Sequence, residues 1–175
     1  MAPPTTGSSS TGMHSTEVLL EAVTDCITHI LNADSLRAAL PDALQTIARV
    51  VRIDRVLVIE NVSTLFVWNS EQAPKVDAAA LMANRSDADA IEEWMSPLRQ
   101  GNAVIGIRRL LAGPVLDLLT QLQAVSTLRV PIMLNGVYSG QIAFDDCEGE
   151  HEWTSAQINI LKLLAEVISS STNRS

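Results

Sequence analysis

Apolar and polar positions alternate most clearly along two neighbouring runs in the second half of the chain. Val130, Ile132 and Leu134 alternate in the first run, and Ile142 and Phe144 alternate in the second. The Asn135-Gly136 dipeptide between them accepts positive φ at both centres of a type I′ turn, which matches the twist of paired strands. The pattern therefore predicts a β-hairpin. Since both arms are apolar on much of both faces, it also predicts a sheet that is covered on two sides.

Two residues of this hairpin predict local irregularities. Pro131 has no backbone donor, so its strand should lie at the sheet edge there or depart from regular pairing. Gly140 indicates a bulge or a close approach of another backbone segment. We expect this hairpin to form the centre of the domain.

Helical periodicity dominates near both ends of the chain. The spacing of apolar residues predicts an amphipathic helix over Thr16–Leu31, with an unusually wide apolar stripe. After a short break, a second helix is predicted with Pro41 at its first position. A last helix is predicted over Thr154–Ser170, where Thr154 and Gln157 have the spacing of a capping box. This last helix carries two apolar stripes, so it needs more than one surface to pack against.

Shorter elements fill the region between the helical ends. Arg55–Glu60 and Thr64–Trp68 are predicted strands joined by a short turn. The middle of the chain predicts a helix within Ala78–Leu98, a short strand at Val104–Ile107 and a helix over Val115–Ala124.

Two stretches of the chain carry a family resemblance. The run VPIMLNGVYSGQIAFDDCEGEHEWTSAQINILKLLAEVI resembles the C-terminal part of a bacterial GAF domain, and LPDALQTIARVVRIDRVLVIE resembles the helix and first strand of the same family. The resemblance covers roughly residues 15–170. Its motifs lie at the two ends, and the middle is the part in which GAF domains carry their ligand specificity.

The resemblance implies an α+β fold. It predicts an antiparallel sheet of five or six strands, with the terminal helices on one face and shorter helices over the other. Residues 15–171 are expected to form this single GAF-like domain. Residues 1–14 are rich in Pro, Ser, Thr and Gly, a composition that predicts a disordered linker or a remnant of cloning.

Charge and composition exclude several classes of partner. The formal net charge is −8 and the basic residues are scattered, which disfavours binding to nucleic acid or to anionic membranes. No apolar run reaches the length of about 18 residues that a membrane span needs. There is no secretory signal pattern, and the two cysteines suggest no disulfide framework. A cytoplasmic protein is expected.

Candidate chemistry is sparse. Cys26 lies on an apolar stripe, where a thiol acts as a small hydrophobic group, and the acidic residues around Cys147 are expected to raise its pKa and oppose reactivity. The acidic loop after residue 144 lacks the ligand spacing of a calcium site, and no phosphate-binding motif occurs. The signatures of cyclic-nucleotide-, bilin- and haem-binding GAF domains are also missing. No enzyme and no metal site are predicted, and the identity of any cofactor stays open.

What remains is an apolar pocket between the sheet and the middle segment. By resemblance, the ligand of a GAF domain lies there, and such sites combine apolar walls with a few polar anchors. Arg129, together with Arg108 or Arg109, is a candidate anchor for an acidic ligand. The full set of pocket candidates is Trp68, Trp94, Leu98, Val104, Ile107, Leu116, Leu119 and Arg129. Either these side chains fill the space themselves or they enclose a small molecule.

The resemblance and the double stripe of the last helix together predict a homodimer. Candidate interface residues on the first and last helices are Leu19, Val23, Ile30, Ile160, Leu163 and Val167. The most consistent interpretation is a sensory or dimerisation module of bacterial signal transduction. The chain is either a domain excised from beside an output domain, such as a kinase, a cyclic-dinucleotide enzyme or a transcription regulator, or a stand-alone protein whose output is association. Two alternatives stay open: a small enzyme that uses the same pocket, and a purely structural dimerisation domain.

Overall fold

The computed structural model describes residues 7–60, 63–82 and 87–171, with side chains from residue 15 onward. Its strands are β1 (Arg55–Glu60), β2 (Ser63–Asn69), β3 (Val104–Ile107), β4 (Ser126–Leu134) and β5 (Val137–Asp146). Its α-helices are α1 (Gly7–Asn32), α2 (Leu36–Val51), α3 (Ala78–Met82), α4 (Ala88–Trp94), α5 (Gly113–Leu122) and α6 (Ser155–Ser171). Two 3₁₀ turns, Ser96–Gln100 and Arg108–Leu110, flank β3.

The strands form one antiparallel sheet of five strands in the order β2-β1-β5-β4-β3. The predicted α+β fold is confirmed. Helices α1, α2 and α6 lie on one side of the sheet, and α3, α4, α5 and the first 3₁₀ turn lie on the other. The sheet is therefore the middle of three layers, and it buries apolar residues on both faces.

The β4–β5 hairpin has the predicted turn. Asn135 and Gly136 both have positive φ, 52° and 78°, as a type I′ turn requires. Pro131 lies beyond the last β4 residue that pairs with β3, Arg129, so its missing donor faces an unpaired edge. A Cβ added at Gly140 would collide with the Ile59 carbonyl oxygen of β1, which confirms the close backbone approach.

The helical layer on one side of the sheet forms the larger core. Helix α6 packs on β4, α2 packs on β1 and β2, and α1 contacts both α2 and α6. The sheet residues of this core are Val56, Val58, Leu128, Val130, Ile132, Ile142 and Phe144. The alternation seen in the sequence therefore places one complete face of the hairpin beneath the terminal helices.

Several predicted element bounds are wrong. Helix α1 begins at Gly7 rather than Thr16, so the expected linker is helical from residue 7; residues 1–6 lie outside the described ranges. No proline follows residue 4 in this stretch, and extending an existing helix adds one backbone hydrogen bond per residue. Helix α2 begins at Leu36, because the Ser35 side chain accepts a hydrogen bond from the Ala38 backbone N–H, so Pro41 lies inside the helix.

The middle segment also differs from the prediction. The single helix expected within Ala78–Leu98 is divided into α3, α4 and a 3₁₀ turn. Helix α4 ends at Trp94, close to Pro97, which disfavours helical geometry at the residue before it. The turn expected at Asn61–Ser63 lies largely outside the described residues.

The capping box of α6 is confirmed. The Thr154 backbone N–H donates to Gln157 Oε1 at 3.0 Å, and the Gln157 backbone N–H donates to Thr154 Oγ1 at 3.1 Å. These reciprocal bonds satisfy two backbone donors that the start of a helix would otherwise leave open. The helix begins at Ser155, immediately after the cap.

Candidate functional site

Polar side chains are buried in a row on the sheet face that the middle segment covers. Arg55, Asp145 and Thr127 lie opposite one another on β1, β5 and β4, and Arg129 and Gln141 follow on β4 and β5. All five residues are buried. Directly opposed residues of antiparallel strands share a face, so the strand register brings these side chains together beneath α3, α4 and α5.

One half of this row is an ion pair whose charged groups are all hydrogen-bonded. Arg55 Nη1 lies 3.0 Å from Asp145 Oδ2, and neither side chain is exposed. Arg55 also donates from Nη2 to the Leu122 carbonyl oxygen at 3.0 Å and from Nε to Asn69 Oδ1 at 3.2 Å. The other carboxylate oxygen of Asp145 accepts a 2.7 Å hydrogen bond from Thr127 Oγ1. This network joins β1, β4 and β5 to the end of α5, and its role is structural.

The other half of the row is Arg129, whose guanidinium is only partly satisfied. Its Nη1 donates to Gln141 Oε1 at 3.1 Å and lies 3.8 Å from Met82 Sδ. Its Nε and Nη2 are buried and have no hydrogen-bond partner among the described residues. The guanidinium carbon lies 5.8 Å from the centre of the Trp94 ring. A buried charged group with two open donors carries a desolvation cost that protein contacts alone do not offset.

The charges around Arg129 also indicate that its own positive charge is poorly balanced. Burial lowers the pKa of Arg129, while the Asp145 carboxylate raises it and the Arg55 guanidinium lowers it further. Both carboxylate oxygens of Asp145 already accept hydrogen bonds, one from Arg55 and one from Thr127. Among the described residues, the site therefore has a positive charge without a dedicated counterion of its own.

The apolar surroundings of Arg129 come from the second core. Leu98 and Met95 lie in this core with Val104, which is directly opposite Arg129 on β3. Trp94 packs against the backbone at Gly106, where an added Cβ would come within 2.7 Å of the ring. Tyr138 is half-buried beside Gln141, and burial raises its pKa. The site combines apolar walls with one charged anchor and two neutral polar groups.

The predicted pocket residues are only partly brought together. Trp94, Leu98, Val104, Leu119 and Arg129 lie in or beside the second core. Trp68 is on the other face, because it is paired with Val56 of β1, which faces the terminal helices. Ile107 and Leu116 stay half-exposed outside this core.

The other two candidate anchors lie in the 3₁₀ turn Arg108–Leu110, which follows β3. Arg109 forms a surface ion pair with Glu150, with Nε 2.7 Å from Oε1, and Arg108 lies in the same 3₁₀ turn. Arg109 is therefore engaged at the surface, and a role for either arginine as a ligand anchor stays a prediction.

Sequence reasoning missed the polar partners of Arg129 and the ion pair beside it. Gln141 and Asp145 alternate with Ile142 and Phe144 along β5, a polar face on a strand that is covered on both sides. This alternation with a period of two was the sequence pattern that could have predicted the buried polar residues of β5. The contacts from Met82 and Met95 had no such signal, because both come from the variable middle segment.

Neither cysteine is placed for nucleophilic chemistry. Burial is the main reason why the pKa of each thiol is raised, to about 11 for both Cys26 and Cys147. Cys26 Sγ donates to the Ala43 carbonyl oxygen inside the helical core. Among the described residues there is no group of His, Cys, Asp and Glu side chains with metal-binding geometry. The acidic residues after β5 instead support the loop: Asp146 Oδ1 accepts the Glu148 and Gly149 backbone N–H groups.

Comparison with known proteins identifies the family. Residues 35–171 match the model of the GAF domain. The chain belongs to the GAF domain family. GAF domains are sensory modules, and in general they bind ligands or partners rather than catalyse reactions. No helix within residues 7–60, 63–82 and 87–171 combines the length and the apolar character needed to span a bilayer.

Two curated relatives match parts of the chain. An uncharacterized protein of Azorhizobium caulinodans is 29% identical over 85 residues, which are 49% of this chain and 12% of that protein. The methanogenesis regulatory histidine kinase FilI of Methanothrix harundinacea is 27% identical over 143 residues, 77% of this chain and 16% of the kinase. The chain thus spans less than a fifth of the length of either relative.

Several solved structures with the same fold are photoreceptor domains. The GAF domain of the cyanobacteriochrome TePixJ has a TM-score of 0.64 at 18% identity, covering 83% of this chain and 93% of that domain. A far-red-absorbing domain with bound biliverdin IXa has a TM-score of 0.73 at 15% identity, covering 87% and 98%. The chromophore-binding domain of bacteriophytochrome RpBphP3 from R. palustris has a TM-score of 0.65 at 14% identity, covering 87% and 60%. These similarities show the fold.

Proposed function

We propose that this GAF domain is the input module of a cytoplasmic signalling protein and that it binds a small molecule between the sheet and the middle segment. One observation carries the proposal. The guanidinium of Arg129 is fully buried, yet its Nε and Nη2 donors have no partner among the described residues. Buried polar groups in folded proteins are almost always hydrogen-bonded, so this pair of donors indicates a group that occupies the site in the working protein.

The surroundings of Arg129 favour a binding site over a filled core. Its contacts come from separate elements: Gln141 from β5, Met82 from α3 and Trp94 from α4. Pockets for small molecules have mainly apolar walls with a few polar groups that fix orientation. A purely structural core would gain stability by replacing an unsatisfied guanidinium with an apolar side chain of similar volume.

Ligand binding at Arg129 provides a route for a signal. A ligand bound by Arg129 would contact β4 together with α3 and α4, and so bias the position of the middle segment. The Arg55 network then joins the end of α5 to β1 and β5, which lie beneath the terminal helices. Binding shifts such an equilibrium by as much as the ligand prefers one state over the other. A kinase, as in the relative FilI, a cyclic-dinucleotide enzyme or a transcription regulator would be the output domain.

Native mass spectrometry of the purified chain tests the proposal. We expect a folded species that carries reproducible extra mass, which is lost on denaturation and is absent from the Arg129→Met variant. The chain should be measured both as purified and after incubation with a small-molecule extract. A folded species with no added mass under either condition would contradict ligand binding and favour a purely structural module. Turnover of a component of the extract would favour the small enzyme.

We also propose that the module acts as a homodimer, with an interface centred on the outer surface of α1 and α6. Leu20 and Leu31 of α1 and Leu163 of α6 are large apolar side chains that stay exposed in the single chain. Leu19, Val23 and Ile30, which the sequence made interface candidates, belong to the core of their own chain, since α1 turns that stripe toward α2 and α6, so we centre the proposed interface on exposed residues instead. Ile160 and Val167 are half-buried against the same core.

The Leu163→Glu variant tests this interface. A charge at the centre of an apolar contact must be desolvated without a partner, so we expect the dimer to dissociate. Light scattering should then give 18.9 kDa, the mass of one chain, in place of twice that value. Leu110→Glu is the matched control, because Leu110 is equally apolar and even more exposed but lies in a 3₁₀ turn away from α1 and α6. A dimer that survives Leu163→Glu contradicts the proposed surface.

A further inference from the structure

The two open donors of Arg129 lie on one edge of its guanidinium. The Nε–H and one Nη2–H point in the same direction with a fixed spacing, and this fork matches the two oxygens of a carboxylate. The opposite side of the group is occupied, because Nη1 donates to Gln141 Oε1. The Gln141 contact therefore fixes the guanidinium on one side, and the complete bidentate edge on the other side has no partner among the described residues.

The charge of the missing group follows from the buried charges around it. Among the described residues, the charged side chains that are buried are Arg55, Asp145 and Arg129. Arg55 and Asp145 compensate one another at 3.0 Å, so one positive charge is left. A monoanion balances that charge, whereas a dianion would replace it with an unpaired buried negative charge.

The mainly apolar side chains around Arg129 indicate that the rest of the ligand is organic. Trp94 lies over the guanidinium, and the nearest side chains from the covering segment include Met82 and Met95. Leu98 and Val104 add apolar surface from the same core. Phosphate sites, in contrast, gather several basic side chains and backbone N–H groups around one anion.

We propose that this site binds a small organic monocarboxylate, held by a bidentate contact to Nε and Nη2 of Arg129 with its apolar part against Trp94. This inference rests on the proposed ligand-binding function and deepens it by naming the chemical class of the ligand. Gln141 is the positioning residue, since it holds the guanidinium by Nη1 and is itself buried. The carboxylate supplies both hydrogen bonds and the charge that the protein leaves open.

Thermal unfolding with matched acids and amides tests the carboxylate. The probes are acetate, propionate and benzoate, their neutral amides, and nitrate and inorganic phosphate as anions without an apolar part, in buffer free of other carboxylates. We expect at least one carboxylate to raise Tm by roughly 5–10 °C at a hundredfold excess over its Kd. The corresponding amide should give no shift, because it cannot balance the charge or accept both hydrogen bonds.

Variants at Arg129 separate loss of the site from loss of the fold. Arg129→Met should abolish the shift, while the unliganded variant unfolds at or above the Tm of the unliganded wild-type chain, because a buried unpaired charge has been removed. Arg129→Lys should weaken binding at least tenfold, since an ammonium group lacks the planar fork. Arg99→Met alters an exposed arginine and should keep the full shift.

Each contrary result has a distinct meaning. An amide that matches its acid, a nitrate or phosphate shift as large as that of the carboxylates, or a shift that survives Arg129→Met overturns the carboxylate assignment. If no carboxylate binds but native mass spectrometry finds another bound molecule, the ligand class is wrong and the binding function stands. If neither experiment detects a bound molecule, both proposals fail.

Discussion

Replacing Arg55 by alanine should destabilise the domain by about 3–5 kcal/mol, the usual cost of breaking a buried ion pair by removing one partner. The truncation leaves the Asp145 carboxylate buried with Thr127 as its remaining side-chain donor. It also removes the donors to the Leu122 carbonyl oxygen and to Asn69. Since whole domains are stable by about 5–15 kcal/mol, this variant should lie close to the threshold of folding.

Urea denaturation of the Arg55→Ala variant measures this effect. Arg99→Ala is the matched control, because Arg99 also forms an ion pair with a carboxylate, that of Glu92, but both side chains are mostly exposed. We expect the control to change the free energy of unfolding by no more than about 0.5 kcal/mol. Equal losses in the two variants would show that the buried network contributes no more than a surface contact.

Removing the Arg55 side chain should also loosen α5, one of the helices that cover this face of the sheet. Leu122 is the last residue of α5, and its carbonyl oxygen is bound to the sheet through Arg55. Without that contact, the amides near the end of α5 should exchange hydrogen faster than those of α2, which packs on the other face of the sheet. This pattern would show that Arg55 holds the segment that covers Arg129 against the sheet.

Gly140→Ala should cost about 3 kcal/mol, at the upper end of the range for overpacked sites. A Cβ at this position collides with the Ile59 carbonyl oxygen and comes within 2.8 Å of the Glu60 Cα. Both obstacles are backbone atoms of the adjacent strand, so no side-chain rotation relieves the contact. The β1–β5 pairing must open locally, beside Gln141, the residue that holds Arg129.

Gly149→Ala provides the control for Gly140→Ala. Gly149 lies in the loop after β5, and a Cβ added there meets nothing within 4 Å. The free energy of unfolding of the Gly149→Ala variant, measured by urea denaturation, should therefore stay within about 0.5 kcal/mol of the wild-type value. If Gly140→Ala is as stable as Gly149→Ala, the close approach of β1 and β5 at this point is not a constraint on the fold.

The sequence by itself determined the features that depend on local backbone chemistry. The Asn135-Gly136 turn and the capping box of Thr154 and Gln157 were predicted because each depends on residues within three positions of one another. The alternation along β4 and β5 likewise fixed which side chains share a face. The family resemblance supplied the order of the layers, and the fold confirms it.

Only the tertiary structure decided the contents of the site. Arg55 and Asp145 are 90 positions apart, and their contact depends on the β1–β5 register, which no local pattern specifies. The β1–β2 register places Trp68 beneath the helices and leaves the pocket to Trp94. Arg129 was a candidate anchor from its position alone. Its open donor edge became apparent once Gln141 and the covering helices had taken their places, since hydrogen-bond satisfaction depends on the whole surroundings of a side chain.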